Sequence, residues 1–321
     1  MDATIVKADA LEFLQSKPDD HFDLICGSPP YELARTYSTP GVAKSTDAWV
    51  AWMHRIVVES VRVCKGLVVY VIEGQTRDFR YSCGPILLMA DLHRAGICLR
   101  KPPIFHRVGI PGSGGPDWLR NDYEFCLCAT KGGKLPWSDN TACGHTPKYS
   151  PGGEMSNRKV DGSRVNGFGL TGRVSASKDG RPKKERFSYD KDGTVKGAHD
   201  REVCEIANPG NKIQQKYTAE EVAEFLGEVH DIIHCNVGGG LMGNELCHEN
   251  EAPYPEDLAE FFIRSFCQPG GVVCDPFSGS GTTAAVSVRW GRRFEGSDLR
   301  QSQVDLGLKR LASETPLALY S

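Results

Sequence analysis

Two short runs of residues concentrate the chemistry in this chain of 321 residues. The first is Val272-Val273-Cys274-Asp275-Pro276-Phe277-Ser278-Gly279-Ser280-Gly281-Thr282-Thr283. It reads as a buried strand, a tight glycine turn and the start of a helix. Glycine lets a backbone approach a ligand closely, and a helix N-terminus presents N–H groups to it. An acidic residue, Asp298, ends the next strand 17 residues after Gly281, near the spacing expected of a carboxylate that holds a ribose. Gly-x-Gly alone suits dinucleotide enzymes as well; the preceding Asp-Pro-Phe is the narrower signal. The second run is Ser28-Pro29-Pro30-Tyr31. Two prolines restrict the backbone and remove two N–H donors, which leaves carbonyl acceptors without local competition. Rigid acceptors beside an aromatic ring suit a substrate that carries an exocyclic amine. The Ser28 hydroxyl and the Pro29 carbonyl would accept the two amine hydrogens, and Tyr31 would stack on the ring that bears them.

Both runs need strands and helices to hold them. Residues 4–7 and 22–26 read as strands, with a helix over 11–16 between them; the second strand delivers Ser28. Residues 32–44 read as a loop. Ser45, Thr46 and Asp47 are helix N-cap candidates. Trp49, Trp52, Met53, Ile56, Val57, Ser60, Val61 and Cys64 then recur at helical spacing. The apolar run 67–72 suits a strand buried on both faces, as in a parallel sheet. A helix over 86–93 and strands over 104–108 and 123–129 follow. Beyond a composition break at Lys131-Gly132-Gly133-Lys134, helices are expected over 219–229, 255–266 and 282–289. Strands are expected over 271–274 and 294–297, and a last amphipathic helix carries Val304, Leu308 and Leu311. Strands alternating with helices imply an α/β fold with a mostly parallel sheet.

Composition narrows the class. Hydrophobic residues make up 40% and charged residues 25%, which excludes collagen-like, coiled-coil and wholly disordered chains. No apolar run approaches a membrane span, and the N-terminus lacks signal-peptide features, so a cytoplasmic location without membrane contact is expected. The 12 cysteines are scattered with no Cys-x-x-Cys pair, and the histidines lack ligand spacing. Reduced core cysteines and no metal site are therefore expected. The net charge of −3 hides an asymmetry. Residues 146–200 hold 12 Lys and Arg against 7 Asp and Glu, a surplus of +5, so the remainder carries −8. A basic stretch in an acidic chain is a candidate nucleic-acid surface or a solvated loop.

The run Asp-Pro-Phe-x-Gly-x-Gly-Thr-Thr together with Ser-Pro-Pro-Tyr resembles the S-adenosylmethionine-dependent amino-methyltransferases of DNA. The order, tetrapeptide first and glycine turn last, resembles the β group of that family. The resemblance implies a seven-stranded, mostly parallel sheet with one antiparallel strand, helices on both faces and an inserted target-recognition region. It divides the chain into a catalytic half at 1–132, a recognition region at 133–244 and a cofactor half at 245–321. It implies S-adenosylmethionine as cofactor and double-stranded DNA as substrate, and it leaves open a homodimer and a companion restriction endonuclease. Ser28, Pro29, Pro30 and Tyr31 become the catalytic candidates. Asp275, Pro276, Phe277, Ser278, Gly279, Gly281, Thr282, Thr283 and Asp298 become the cofactor candidates. By resemblance Asp9 joins them beside the adenine, and so does Tyr254 before the pocket-wall helix. Candidate DNA contacts are Arg35 and Lys44, and in the basic stretch Arg158, Lys159, Arg164, Arg173, Lys183, Lys184 and Arg186.

Many adenine-N6 enzymes of the family have Asp or Asn where Ser28 stands, and serine there is typical of cytosine-N4 enzymes. The sequence therefore favours methylation of cytosine N4 in a flipped base, with adenine N6 as the alternative. An RNA amino-methyltransferase and a non-catalytic DNA-binding protein are further alternatives. An NAD-dependent oxidoreductase would leave the tetrapeptide unexplained.

Overall fold

The computed structural model describes residues 2–32, 45–108, 121–139, 142–143, 232–237 and 255–314. The chain divides into two units, Met1–Ala142 with Asp231–Ser321, and Cys143–His230. The sheet and its helices belong to the first. In chain order they are β1 (Ala3–Lys7), α1 (Ala10–Gln15), β2 (Phe22–Gly27), α2 (Thr46–Val63) and β3 (Cys64–Ile72). A small hairpin, β4 (Thr76–Arg77) and β5 (Arg80–Tyr81), precedes α3 (Gly84–Arg94), β6 (Cys98–Arg100), β7 (Ile104–Val108) and β8 (Tyr123–Thr130). The rest are β9 (Ile232–Asn236), α4 (Glu256–Phe266), β10 (Val272–Asp275), α5 (Thr282–Arg289), β11 (Arg293–Asp298) and α6 (Gln301–Ser313).

The main sheet runs β1-β11-β10-β2-β3-β8-β7-β9, with β6 paired to β8. Strand β8 is antiparallel to β3, β6 and β7, and the other pairings are parallel. The expected α/β architecture with one reversed strand is present. The strand number is not seven but nine among the described residues, because β6 adds a short strand beside β8 and β9 extends the sheet beyond β7. Strand β9 falls within 133–244 yet pairs in register with β7, from Ile104↔Ile232 to Val108↔Asn236. Its five residues, Ile-Ile-His-Cys-Asn, are too short a run to stand out beside the glycines that follow. No described helix is long and apolar enough to cross a membrane.

Burial on both faces accounts for the apolar runs. In β3, Val68, Tyr70 and Ile72 pack among α1, α2 and α3, while Leu67, Val69 and Val71 pack on the opposite face with α4 and α5. Each such side chain is worth roughly 1.5–3 kcal/mol when removed from water. Helix α2 starts where its cap allows: the Ser45 hydroxyl accepts the Ala48 N–H at 3.2 Å, and Trp49, Met53, Ile56 and Val57 then face the sheet. The candidate helix at 219–229 lies outside the described residues.

Two expectations change. Cys98 is exposed, not a core residue. In α6, Leu308 is exposed at 42%, and the inward positions belong to Val304, Leu306 and the fully buried Arg310. Arg310 is inward because its charge is met there. It pairs with Glu256 at the start of α4 and donates to the Thr282 hydroxyl at 3.0 Å. The other Glu256 oxygen takes Arg289 of α5 at 2.6 Å, and Arg289 also pairs with Glu314 at 3.0 Å. Three helices are thus locked around one carboxylate, and Thr282, which opens α5 behind the glycine turn, is part of the lock. Glu256→Ala would strand a buried guanidinium, which typically costs about 3–5 kcal/mol. Chemical denaturation should show a loss of that size, and Glu256→Ala combined with Arg310→Met should recover part of it.

Candidate functional site

The two motifs meet because β2 and β10 are neighbours. Val273 and Cys274 pair with Leu24 and Ile25, so both strands end side by side and deliver Asp275 and Ser28 to the same edge. Gly27 makes the approach close. A Cβ there would lie 2.3 Å from Asp275 Oδ1 and 2.9 Å from its Cγ, closer than atoms tolerate. The Asp275 carboxyl therefore occupies the space a side chain at position 27 would fill. Its Oδ1 accepts the Phe277 N–H at 2.9 Å and its Oδ2 accepts the Thr283 hydroxyl at 2.7 Å. Burial pushes this carboxyl up to about 7; the two hydrogen bonds pull the other way, and the charge of Asp298 adds to the rise.

The glycine turn is tied on its outer side. Ser278 N–H donates to the Ser297 carbonyl at 2.8 Å, and the Ser297 hydroxyl donates to the Pro276 carbonyl at 3.1 Å. Gly279 and Gly281 have φ of 49° and 79°, the left-handed region that glycine enters without strain. Asp298 stands opposite: its Oδ2 accepts Gly279 N–H at 3.1 Å and its Oδ1 accepts Arg300 N–H at 2.9 Å. The Ser278 hydroxyl is buried and has no partner among the described residues, so a hydrogen-bonding group is unmet within the cradle. Phe277 stands edge-on to Trp52 at 5.7 Å and to Tyr70 at 5.9 Å. Pro276, Thr282 and Thr283 are buried supports of the turn. An orphaned hydroxyl, a carboxylate at a strand end and two left-handed glycines suit a ligand with a ribose and a polar tail.

The tetrapeptide is held from three sides. Trp49 of α2 donates its indole N–H to the Pro30 carbonyl at 2.9 Å. Tyr31 donates its hydroxyl to Glu124 of β8, whose other oxygen meets Arg107 of β7 at 3.1 Å. Burial raises the Glu124 carboxyl, with the Tyr31 bond and the Arg107 charge opposing. Glu32, directly after Tyr31, is fully buried; its Oε1 accepts the Gln75 N–H at 3.3 Å and the Ser82 hydroxyl. Two acceptors remain. Neither the Ser28 hydroxyl nor the Pro29 carbonyl is engaged among the described residues. The Pro30 carbonyl, in contrast, is committed to Trp49.

The structure brings Ser28, Pro29, Pro30 and Tyr31 to the same sheet edge as Asp275 and its turn. Asp9 ends β1 next to Asp298, since Ala8 N–H reaches the Asp298 carbonyl at 3.2 Å. Its Oδ1 caps α1, accepting Leu11 and Glu12 N–H at 2.9 and 3.3 Å. Tyr254, Arg35, Lys44, Arg158, Lys159, Arg164, Arg173, Lys183, Lys184 and Arg186 lie outside the described residues. Sequence reading missed Gly27, Arg107 and Glu124, and took Trp49 for packing alone. A carboxylate inside the otherwise apolar β8 was the available signal for Glu124. Nothing in the helical stripe marks Trp49 as a donor.

Comparison with known proteins gives the family and the fold. The model of a DNA methylase family, N6/N4 methyltransferases, matches residues 22–309. The chain is 24% identical over 308 residues to the DNA adenine methyltransferase YhdJ of Escherichia coli K12, covering 96% of this chain and 82% of that one. Over 61 residues it is 39% identical to the type II methyltransferase M.BglII of Bacillus subtilis, 19% of this chain and 17% of the relative. The fold is similar to that of the cytosine-N4-specific PvuII DNA methyltransferase, with a TM-score of 0.61 at 15% identity over 97% of this chain and 86% of that one. It is also similar to the Thermus thermophilus protein TTHA0409 in complex with S-adenosyl-L-methionine, at a TM-score of 0.55, 20% identity and coverage of 98% and 95%. With the family match extending over most of its length, the chain belongs to the N6/N4 DNA methylase family.

Proposed function

We propose that the chain is a site-specific DNA methyltransferase that moves a methyl group from S-adenosylmethionine to the exocyclic N4 amine of a flipped cytosine. The observation that carries this reading is the pair of uncommitted acceptors, Ser28 hydroxyl and Pro29 carbonyl, beside the cofactor turn. S-adenosylmethionine supplies, when bound, a methyl on a sulfonium that is already a good leaving group. The protein's task is therefore alignment more than strong acid–base work.

Asp298 and the backbone of Ser278 to Gly281 would hold the cofactor's sugar and polar end, and the Ser278 hydroxyl would find its partner there. Asp9, capping α1 beside Asp298, would contribute at the adenine side, and Tyr254 would complete the wall before α4. On the other side, Ser28 Oγ and Pro29 O would accept the two amine hydrogens. That turns the nitrogen lone pair out of conjugation with the base and toward the methyl. Trp49 keeps the Pro30 carbonyl turned away, so the tetrapeptide presents one set of acceptors. The Tyr31 ring would lie against the extruded base, its angle fixed by the buried Glu124. Chemistry on a stacked base requires extrusion, so flipping follows from the substrate. Target recognition is assigned to 133–244, whose Arg158, Lys159, Arg164, Arg173, Lys183, Lys184 and Arg186 would contact phosphates and base edges, with Arg35 and Lys44 nearer the flipped strand.

Serine at position 28 supports cytosine N4. The E. coli relative is an adenine methyltransferase, and that supports adenine N6 as the second reading. Incubation with labelled S-adenosylmethionine and unmethylated DNA, followed by digestion and mass spectrometry, separates them. N4-methyldeoxycytidine is the expected product. N6-methyldeoxyadenosine would replace the base assignment, and label absent from DNA would contradict the reading. A second test concerns Tyr31. Tyr31→Phe removes the bond to Glu124 and keeps the ring. Turnover should fall about tenfold, the value of one buried hydrogen bond, with unchanged cofactor affinity. Tyr31→Ala should fall further; equal losses in the two variants would remove the stacking role of the ring.

A further inference from the structure

The hairpin between β3 and α3 is built against ordinary preferences. Its strands are two residues each, with Thr76 opposite Tyr81 and Arg77 opposite Arg80. The turn residues are Asp78 and Phe79, with φ of 48° and 61°. A two-residue turn with both φ positive favours Asn-Gly or Asp-Gly, because a bulky side chain is strained there. Phe79 takes the place of that glycine and is 78% exposed. Like charges directly opposite on a ribbon, as at Arg77 and Arg80, are also destabilising. Strain of this kind persists where surrounding structure enforces it, and it marks sites of function.

The enforcing structure is the tetrapeptide's own neighbour. Glu32, next to Tyr31, accepts from both ends of the hairpin, the Gln75 N–H at 3.3 Å and the Ser82 hydroxyl, while the Gln75 amide donates to the Glu32 carbonyl. At the hairpin base the Tyr81 hydroxyl donates to Glu73 at 3.1 Å. The ribbon is therefore fixed to the residues that would receive an extruded base. Beside it a cleft of about 510 Å³ is lined by Thr46, Asp47, Gln75, Arg77, Arg80 and Tyr81, among others.

We propose that Phe79 is a wedge that enters the DNA stack beside the extruded base, and that Arg77 and Arg80 grip the phosphates flanking it. The proposal rests on the DNA-methylating function above. A two-stranded ribbon fits the major groove, which is about 8.5 Å deep. Three extended steps from Gln75 to the turn give a reach of roughly 10 Å. An aromatic face stacks on any base, so the wedge carries no sequence preference. Arg77, whose Nε donates to Gln75 Oε1 at 3.1 Å, and Arg80 opposite it place two positive charges at the tip of the ribbon, where a polyanion would oppose them. Flipping leaves a gap that water fills poorly, and a stacked phenyl ring fills it at the moment of extrusion.

The test compares two duplexes that carry the site methylated by the wild-type protein, one fully paired and one with a mispaired base opposite the target. A mispair lowers the cost of extrusion, so a wedge matters less. Phe79→Ala should lose about tenfold or more in kcat/KM on the paired duplex, the value of one base stacked on an aromatic ring. It should lose less than about twofold on the mispaired one, where extrusion is already cheap. Phe79→Trp should retain activity on both, which shows that the turn itself is intact. Arg77→Gln with Arg80→Gln should weaken binding of both duplexes and flatten its salt dependence. Phe79→Ala with full activity on the paired duplex overturns the proposal. So does an equal loss on both duplexes, because that is the mark of a structural role. If the wild-type protein methylates no site in DNA, the underlying function fails and the wedge fails with it.

Discussion

The contact between Gly27 and the Asp275 carboxyl is the constraint on which the site depends. The two motifs lie almost 250 residues apart in sequence and meet only because β10 inserts beside β2. Parallel pairing aligns their C-terminal ends, and the absent side chain at position 27 lets Asp275 settle over the end of β2. From there Asp275 ties the start of the glycine turn at Phe277 and the start of α5 at Thr283. The glycine turn and the tetrapeptide are thereby registered to each other through the β2–β10 pairing and the Asp275 carboxyl. In the proposed methyl transfer, which would depend on alignment, such a fixed contact is what the protein would contribute.

Around this contact the structure uses buried polar groups, each costly alone and each given a partner. Glu124 is held by Arg107 and Tyr31, Glu32 by Gln75 and Ser82, and Arg310 by Glu256 and Thr282. Replacing such pairs by apolar residues often leaves stability unchanged or improves it, so stability alone is a weak reason for them. What they add here is position. Each network fixes one piece of the site: the ring of Tyr31, the hairpin next to it, and the first residue of α5. Glu73, pushed up to about 7 by burial, and the raised carboxyl of Glu124 lie on the same edge.

Much of this was legible in the amino-acid sequence. Glycine spacing, paired prolines and the valine-rich run of β3 each have a local cause that leaves a local trace. The site's supports have none. Gly27 reads as the end of a strand, and its necessity exists only once Asp275 lies across it. Trp49 looks like any apolar position of α2, although its indole N–H holds Pro30. Arg310 sits on the inward face of α6, although the apolar pattern pointed to Leu308, because Glu256 reaches it from 54 positions away. Strands β6 and β9 are short and gain their order from pairing with β8 and β7, which no local pattern encodes. The hairpin was invisible for the opposite reason: Asp78-Phe79 contradicts the turn chemistry that would have announced it.

The tetrapeptide's strand and the glycine turn share one close contact, that of Gly27 with Asp275. Replacing Gly27 by alanine tests it most directly, with S-adenosylhomocysteine binding measured by calorimetry and folding checked by circular dichroism. The added Cβ would sit 2.3 Å from Asp275 Oδ1, so the carboxyl must move and take the turn with it. The Gly27→Ala protein should fold, with S-adenosylhomocysteine affinity lower by at least about tenfold, the equivalent of one lost ligand hydrogen bond, and methyl transfer lost alongside. A folded variant that binds the cofactor and turns over like wild type would contradict it.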